Sequence, residues 1–165
     1  MLKNTSPLTA LPPDVHLDGS DLKIGIIVAR YNWDITGSMV QFAQDELQRL
    51  KVIRERITIV VVPGTYELAM AAQALLRREH FDALICFGCV MKGETRHDVV
   101  ISDAAAQGIQ QVALDTHVPI IFGVMCAENQ QQAEARITRG SGCARSAVEM
   151  ACTIQALATP INAEC

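Results

Sequence analysis

Apolar residues in this chain come in short unbroken runs, set apart by longer stretches with helical spacing. The runs Leu22–Val28, Ile57–Val62, Ala83–Phe87 and Val118–Met125 predict strands of a parallel sheet covered on both faces, where neither face needs polar side chains. Between the first two runs, Ile35, Met39, Phe42, Leu47 and Leu50 fall on one helical stripe; between the last two, Val100, Ala104, Gly108, Val112 and Asp115 do so less cleanly. A final helical stretch runs from near Glu128 to near Leu157. Gly140 and Gly142 interrupt it around Thr138 to Gly142, which predicts two helices or one kinked helix.

Strand and helix therefore alternate four times. With short connections and right-handed crossovers, this predicts an α/β fold, a single-domain three-layer sandwich around a four-stranded parallel sheet. Ligands of such sheets bind beyond the C-terminal ends of the strands. The segments that matter are then Ala29 to Asp34, Pro63 to Glu67, Gly88 to His97 and Cys126 to Asn129. Residues 1–21, with Pro7, Pro12, Pro13 and Gly19, show no periodicity and read either as an extended arm or as a disordered tail. Each proline in an arm removes a donor, which disfavours its use as an added strand. The domain proper is 22–158, and 159–165 is a tail, with Pro160 ending the last helix.

Composition narrows the class. At 165 residues, one domain suffices to bury a core. Half the residues are hydrophobic and only 4% are aromatic, so that core is built from Val, Ile, Leu, Ala and Met. Neither a membrane span nor a secretory leader is evident, which points to a cytoplasmic protein. A net charge of −4 without a basic stripe argues against a nucleic-acid partner. Of six cysteines, Cys86, Cys89 and Cys126 lie in apolar stretches that read as buried, and free buried thiols imply a reducing compartment. Cys86-Phe-Gly-Cys89 has the spacing of a metal or redox motif. A zinc site needs about four ligands, and no second pair stands nearby in sequence, so packing explains these thiols better and no metal is expected.

The segment from Gly88 to His97 carries the sharpest chemistry. It joins a strand end to a turn, Gly93-Glu94-Thr95, and then to a helix opening with His97. Backbone N–H groups of Gly93 and Thr95 near the positive end of a helix suit a phosphate, and His97 is within reach of any proton moving there. At the first strand's end, Tyr31 could stack on a planar heterocycle and Asn32 could bond a hydroxyl; equally, Tyr31 could simply cover the core edge. After the second strand, Gly64 permits a sharp turn, and Glu67 either serves a ligand or complements the helix dipole.

These segments, in this order, resemble the 6,7-dimethyl-8-ribityllumazine synthase family. The resemblance spans Leu22 to Leu157 and rests on Ala29-Arg30-Tyr31-Asn32 with Ile35-Thr36, Val62-Pro63-Gly64-Thr65-Tyr66-Glu67-Leu68, Gly93-Glu94-Thr95-Arg96-His97, Pro119-Ile120-Ile121-Phe122-Gly123-Val124 and Gln132-Ala133-Glu134-Ala135-Arg136. It implies a flavodoxin-like strand order and a transferase of riboflavin biosynthesis that condenses 5-amino-6-ribitylaminouracil with 3,4-dihydroxy-2-butanone 4-phosphate, without a cofactor. It also implies a homo-oligomer, a pentamer or a multiple of one, with active sites at subunit interfaces and the N-terminal arm as a candidate strand on a neighbour's sheet.

By position, Tyr31 stands where the family stacks an aromatic ring on the pyrimidine, and Asn32 and Glu67 where it holds the ribityl hydroxyls. Thr65, Tyr66, Cys89, Val90, Met91 and Arg139 fall among substrate-binding positions. Gly93, Glu94 and Thr95 fall in the phosphate turn, with Arg136 and Phe122 coming from an adjacent subunit, and His97 is the implied general acid/base. The chain departs from the family in three places. Asp98 follows His97 directly where a hydrophobic residue is usual, Ala69 replaces a common proline, and the turn before Glu149 is shortened so that Arg139 stands for a lysine. A non-catalytic flavin or lumazine carrier, or a shell protein, is the alternative; it would have no use for the phosphate turn and Arg136. A thiol redox domain would instead depend on Cys86 and Cys89, and a related archaeal-type riboflavin synthase would lack the histidine-bearing motif.

Overall fold

A computed structural model describes residues 16–158. Four parallel strands, β1 (Ile24–Ala29), β2 (Ile57–Val62), β3 (Ala83–Met91) and β4 (Ile120–Ala127), form one sheet in the order β2-β1-β3-β4, the flavodoxin-like arrangement expected. Five helices accompany them: α1 (Trp33–Arg49), α2 (Leu68–Arg78), α3 (His97–Thr116), α4 (Gln130–Glu134) and α5 (Arg139–Ala158). Central β1 pairs Ile24 with Ile57 on one side and with Ala83 on the other. All six of its residues are buried, and each buried Ile or Val there stabilises the fold by roughly 1.5–3 kcal/mol relative to exposure.

Strand alternation divides the core in two. Ile24, Ile26, Val28, Ile85, Phe87 and Cys89 face α1 and α5, whereas Ile27, Leu84 and Cys86 face α2 and α3. Successive side chains of a strand point to opposite faces, so continuous apolar runs and helices on both sides are one observation.

Four details differ from the sequence reading. β3 continues beyond Phe87 to Met91, because Gly88, Cys89, Val90 and Met91 keep pairing with Val124, Met125, Cys126 and Ala127 of β4, and the Lys92 N–H still donates to Ala127 O at 2.8 Å. The buried stripe of α3 is Ala105, Ile109 and Val112, one residue displaced from the stripe through Ala104 and Gly108, and Val100 is exposed. The break in the last helical stretch falls at residues 135–138, and both Gly140 and Gly142 lie inside α5. A Cβ on Gly140 would sit 2.2 Å from the Met39 carbonyl oxygen, so this glycine lets α5 approach α1 instead of ending a helix. Ala144, Ala147 and Ala151 continue the same small, buried stripe. Across it, Arg145 of α5 pairs with Glu46 of α1 at 3.0 Å, and Arg49, one turn on in α1, lies 3.5 Å from the same carboxylate. Finally, Cys126 is exposed and lies 3.1 Å from the Ser102 hydroxyl, since β4 is an edge strand at that end.

Part of the N-terminal arm lies outside the described residues, as does the tail 159–165 with Pro160 and Cys165. From His16 to Asp21 the chain lies against the body: Leu17 packs on the α1/α5 side, Gly19 N–H donates to Leu50 O at 2.7 Å, and Asp18 pairs with Lys51 at 2.8 Å.

Candidate active site

The chain leaves β1 toward β2 on one side and reaches β3 on the other, so the crevice between the C-terminal ends of β1 and β3 is the sheet's topological switch point. A cleft of about 440 Å³ opens there. Three separate segments line it: Tyr31 and Asn32 after β1, Gly64 to Glu67 after β2, and Cys89, Val90 and Met91 at the end of β3, with His97 and Ile101 from α3.

Asn32 fixes the first segment. Its backbone is left-handed, φ 58° and ψ 49°, a conformation asparagine tolerates better than most residues. Its Nδ2 donates to the Cys89 carbonyl at 2.8 Å, tying the end of β1 to β3. The Tyr31 N–H donates to Pro63 O at 3.2 Å, while the ring projects outward with 70% of its surface exposed. That exposure favours the stacking role over the core-edge role.

The second segment is a 3-10 turn, Thr65–Glu67. Gly64 does not need glycine's conformational freedom, because its φ is −145°. It needs glycine's size: a Cβ would meet Glu67 Oε2 and Tyr31 Cδ2, each at 3.0 Å. The glycine thus gathers an aromatic face and a carboxylate at one lip of the cleft. Tyr66, 59% exposed, adds a second ring.

His97 is the first residue of α3 and is exposed to the cleft. Its N–H donates to Thr95 Oγ1 at 3.4 Å. Gly93, Glu94 and Thr95 are all exposed just before the helix. A Cβ on Gly93 would find nothing closer than 4.0 Å, so no side chain plugs the turn. Ile101 was not singled out from the sequence. The signal was available, since it stands four residues after His97 on the same helical face.

The remaining site candidates lie elsewhere. Phe122 pairs in register with Cys86, three residues before the level of Cys89, which is roughly 10 Å down the strand from the cleft. With Arg139, Gly142 and Cys143 it lines a separate depression of about 330 Å³ on the β4–α5 flank. Arg136 does not line the cleft either; its guanidinium donates to Cys126 O at 3.4 Å. Asn129 caps the short α4 before it, accepting from Gln132 N–H at 2.8 Å.

Thiol chemistry is poorly served. Cys86 and Cys89 face opposite cores. Burial pushes the Cys86 thiol up to about 12; it also pushes Cys89 up to about 11, helped by nearby Asp34 and Cys126. Neither is a nucleophile near neutral pH. Among the described residues no cluster of three His, Cys, Asp or Glu could hold a metal ion, and no helix is long and apolar enough to cross a membrane.

A family profile described as 6,7-dimethyl-8-ribityllumazine synthase matches residues 21–155. Among curated relatives bearing that same description, one from Azoarcus sp. is 41% identical over 86% of this chain and 91% of its own length. Another, from Acidovorax ebreus, is 43% identical over 86% of this chain and 92% of its own. A third, from Paraburkholderia phymatum, is 42% identical over 82% and 80%.

Proposed function

Because the chain belongs to the 6,7-dimethyl-8-ribityllumazine synthase family, we propose that its cleft condenses 5-amino-6-ribitylaminouracil with 3,4-dihydroxy-2-butanone 4-phosphate. It is an enzyme of riboflavin biosynthesis, acting on small molecules within an oligomer. A carrier without catalysis is not favoured.

In the reading we adopt, Tyr31 stacks on the pyrimidine, and Asn32 and Glu67 hold the ribityl chain. Thr65, Tyr66, Cys89, Val90 and Met91 complete the walls. The turn Gly93-Glu94-Thr95 receives the phosphate at the start of α3 through its amides, where aligned peptide dipoles favour an anion. Attack of the amine on the ketone gives a carbinolamine that loses water. Phosphate then leaves by elimination, and the resulting enol tautomerises before the ring closes. Each step moves a proton, and imidazole accepts and returns protons near neutral pH, so His97 is the general acid/base. No covalent enzyme intermediate is required; holding two reactants together supplies most of the acceleration.

Arg136, Phe122 and Arg139 enter from a neighbouring copy. Their positions on the β4–α5 flank, away from the cleft of their own chain, support that arrangement. A ring of copies, a pentamer or a multiple of one, would bring each flank to the next cleft, as heterologous contacts do when the rotation closes. The cytoplasm is the compartment that suits five free thiols among the described residues.

One observation carries this reading: Tyr31, Asn32, Glu67 and His97 converge on one cleft from three separate stretches of chain. Purified protein mixed with the two substrates is expected to release phosphate and accumulate the fluorescent lumazine. Phosphate release and fluorescence no faster than in protein-free buffer would refute it.

A further inference from the structure

The stretch of chain that carries Arg136 is lightly attached to the domain. α4 has five residues and one buried side chain, Ala133; beyond it, Ile137 is half-buried against the α1/α5 side of the core. Among the described residues, two side-chain hydrogen bonds run from residues 130–138 to another strand or helix. Arg136 donates to the Cys126 carbonyl of β4, and Gln130 donates to Asp34 of α1.

The Gln130 amide makes a second bond. Its Nε2 donates to Asp34 Oδ2 and also, at 3.0 Å, to Glu134 Oε1. The two hydrogens of one amide thus join a carboxylate on α1 to a carboxylate on α4. Without that amide two like charges would share the space, and their repulsion would push α4 away from α1. The α1 end of the clamp is firm. Asp34 stands in the first turn of a helix whose Ile35, Thr36 and Met39 are buried, with Thr36 donating to the Ala29 carbonyl at 2.8 Å. On the other end, consecutive backbone bonds pass the hold along: Ala133 N–H to Asn129 O at 3.2 Å, Ala135 N–H to Gln131 O at 3.1 Å, and Arg136 N–H to Ala133 O at 3.0 Å. Pinning Gln130 therefore also pins the backbone of Arg136.

We propose that Gln130 is a positioning residue for Arg136: by clamping α4 to the start of α1, it holds the arginine where the phosphorylated substrate of a neighbouring copy meets it, and so sets the affinity for that substrate. The inference rests on the function proposed above, in which Arg136 serves the phosphate. Gln130, Asp34 and Glu134 are all exposed, so water competes for the clamp and its contribution is modest.

Gln130→Ala is expected to raise KM for the butanone phosphate roughly three- to ten-fold, the loss of one net hydrogen bond, while kcat and the diamine KM stay in place. Gln130→Lys keeps a donor between the two carboxylates and should hold KM near the wild-type value. Gln130→Glu crowds three carboxylates together and should raise KM at least as far as Ala does. In an Arg136→Ala background, Gln130→Ala should add nothing, because the group it positions is gone. Inorganic phosphate, titrated by calorimetry, should weaken in the same order. Unchanged KM and phosphate affinity in Gln130→Ala, with both weakened in Arg136→Ala, would overturn the proposal. So would equal losses in the Ala and Lys variants, or a full Gln130→Ala effect in the Arg136→Ala background, since either means that Gln130 acts by another route. Unchanged phosphate affinity in Arg136→Ala would instead remove the arginine from the anion site, and the proposal with it. A wild-type protein that forms no product sinks the proposed reaction, and the phosphate titration then decides the Gln130 claim alone.

Discussion

The cleft at the ends of β1, β2 and β3 and the flank formed by β4 and α5 are built in opposite ways. The cleft has shape: two exposed aromatic rings, a carboxylate, an imidazole and a buried hydroxyl around about 440 Å³, but no arginine in its walls. The flank has charge and an exposed ring, Arg139 with Phe122, in a shallower depression and no titratable imidazole. Arg136 lies on the same flank, outside that depression and against the far end of β4. A reaction that expels phosphate needs cationic help where the anion leaves, and the cleft that His97 lines has no lysine or arginine in its walls; the exposed cations beside the proposed phosphate turn are Lys92, 3.6 Å from Glu128, and Arg96. The difference is what the proposed function requires of a divided site: one copy presents two surfaces, each lacking what the other displays.

The comparison can be broken from the cleft side first. Substituting His97→Ala should lower kcat by roughly 10²-fold, at the low end of what a general acid/base supplies. Appreciable turnover should survive, because the reactants are still held together; complete loss would contradict that division of labour. From the flank, Arg136→Ala should raise KM for the phosphorylated substrate by roughly 10- to 100-fold, as expected for a charge-assisted hydrogen bond. The diamine KM should barely move. An unchanged KM for the butanone phosphate would remove Arg136 from the anion site.

How much of this was legible before the structure follows from which forces act locally. The strands could be read because β1 and β3 are buried on both faces, and burial on both faces leaves an unbroken apolar run. Tyr31, Asn32, Glu67 and His97 could be placed together because ligand sites in such sheets gather at the strand ends. Gly140 was misread for a physical reason. A glycine in a helical stretch signals a break when only local propensity counts, yet its contact is with Met39, far away in sequence. The spacing of Gly140, Ala144, Ala147 and Ala151 did carry that packing signal.

Smaller effects sharpen the same contrast. Gly140→Ala should destabilise the fold by about 1–3 kcal/mol through overpacking against the α1 backbone, read as a lower denaturation midpoint. KM values of the folded fraction should stay as they were, because α5 near Gly140 does not line the cleft; a changed diamine KM would mean that the α1–α5 packing also shapes the pocket. Least of all, Cys86→Ala should leave kcat and KM essentially unaltered, since that thiol is buried on the α2/α3 side and does not line the cleft. A loss of turnover there would revive a thiol role.

The most direct test of a divided site mixes two crippled proteins. One carries His97→Ala with Glu67→Gln, and its flank is intact; the other carries Arg136→Ala with Phe122→Ala, and its cleft is intact. Unfolded together and refolded, they should regain activity well above the sum of the two refolded separately, because about a quarter of the contacts in a randomly mixed ring join an intact cleft to an intact flank. Activity no greater than that sum would mean that each chain completes its own site.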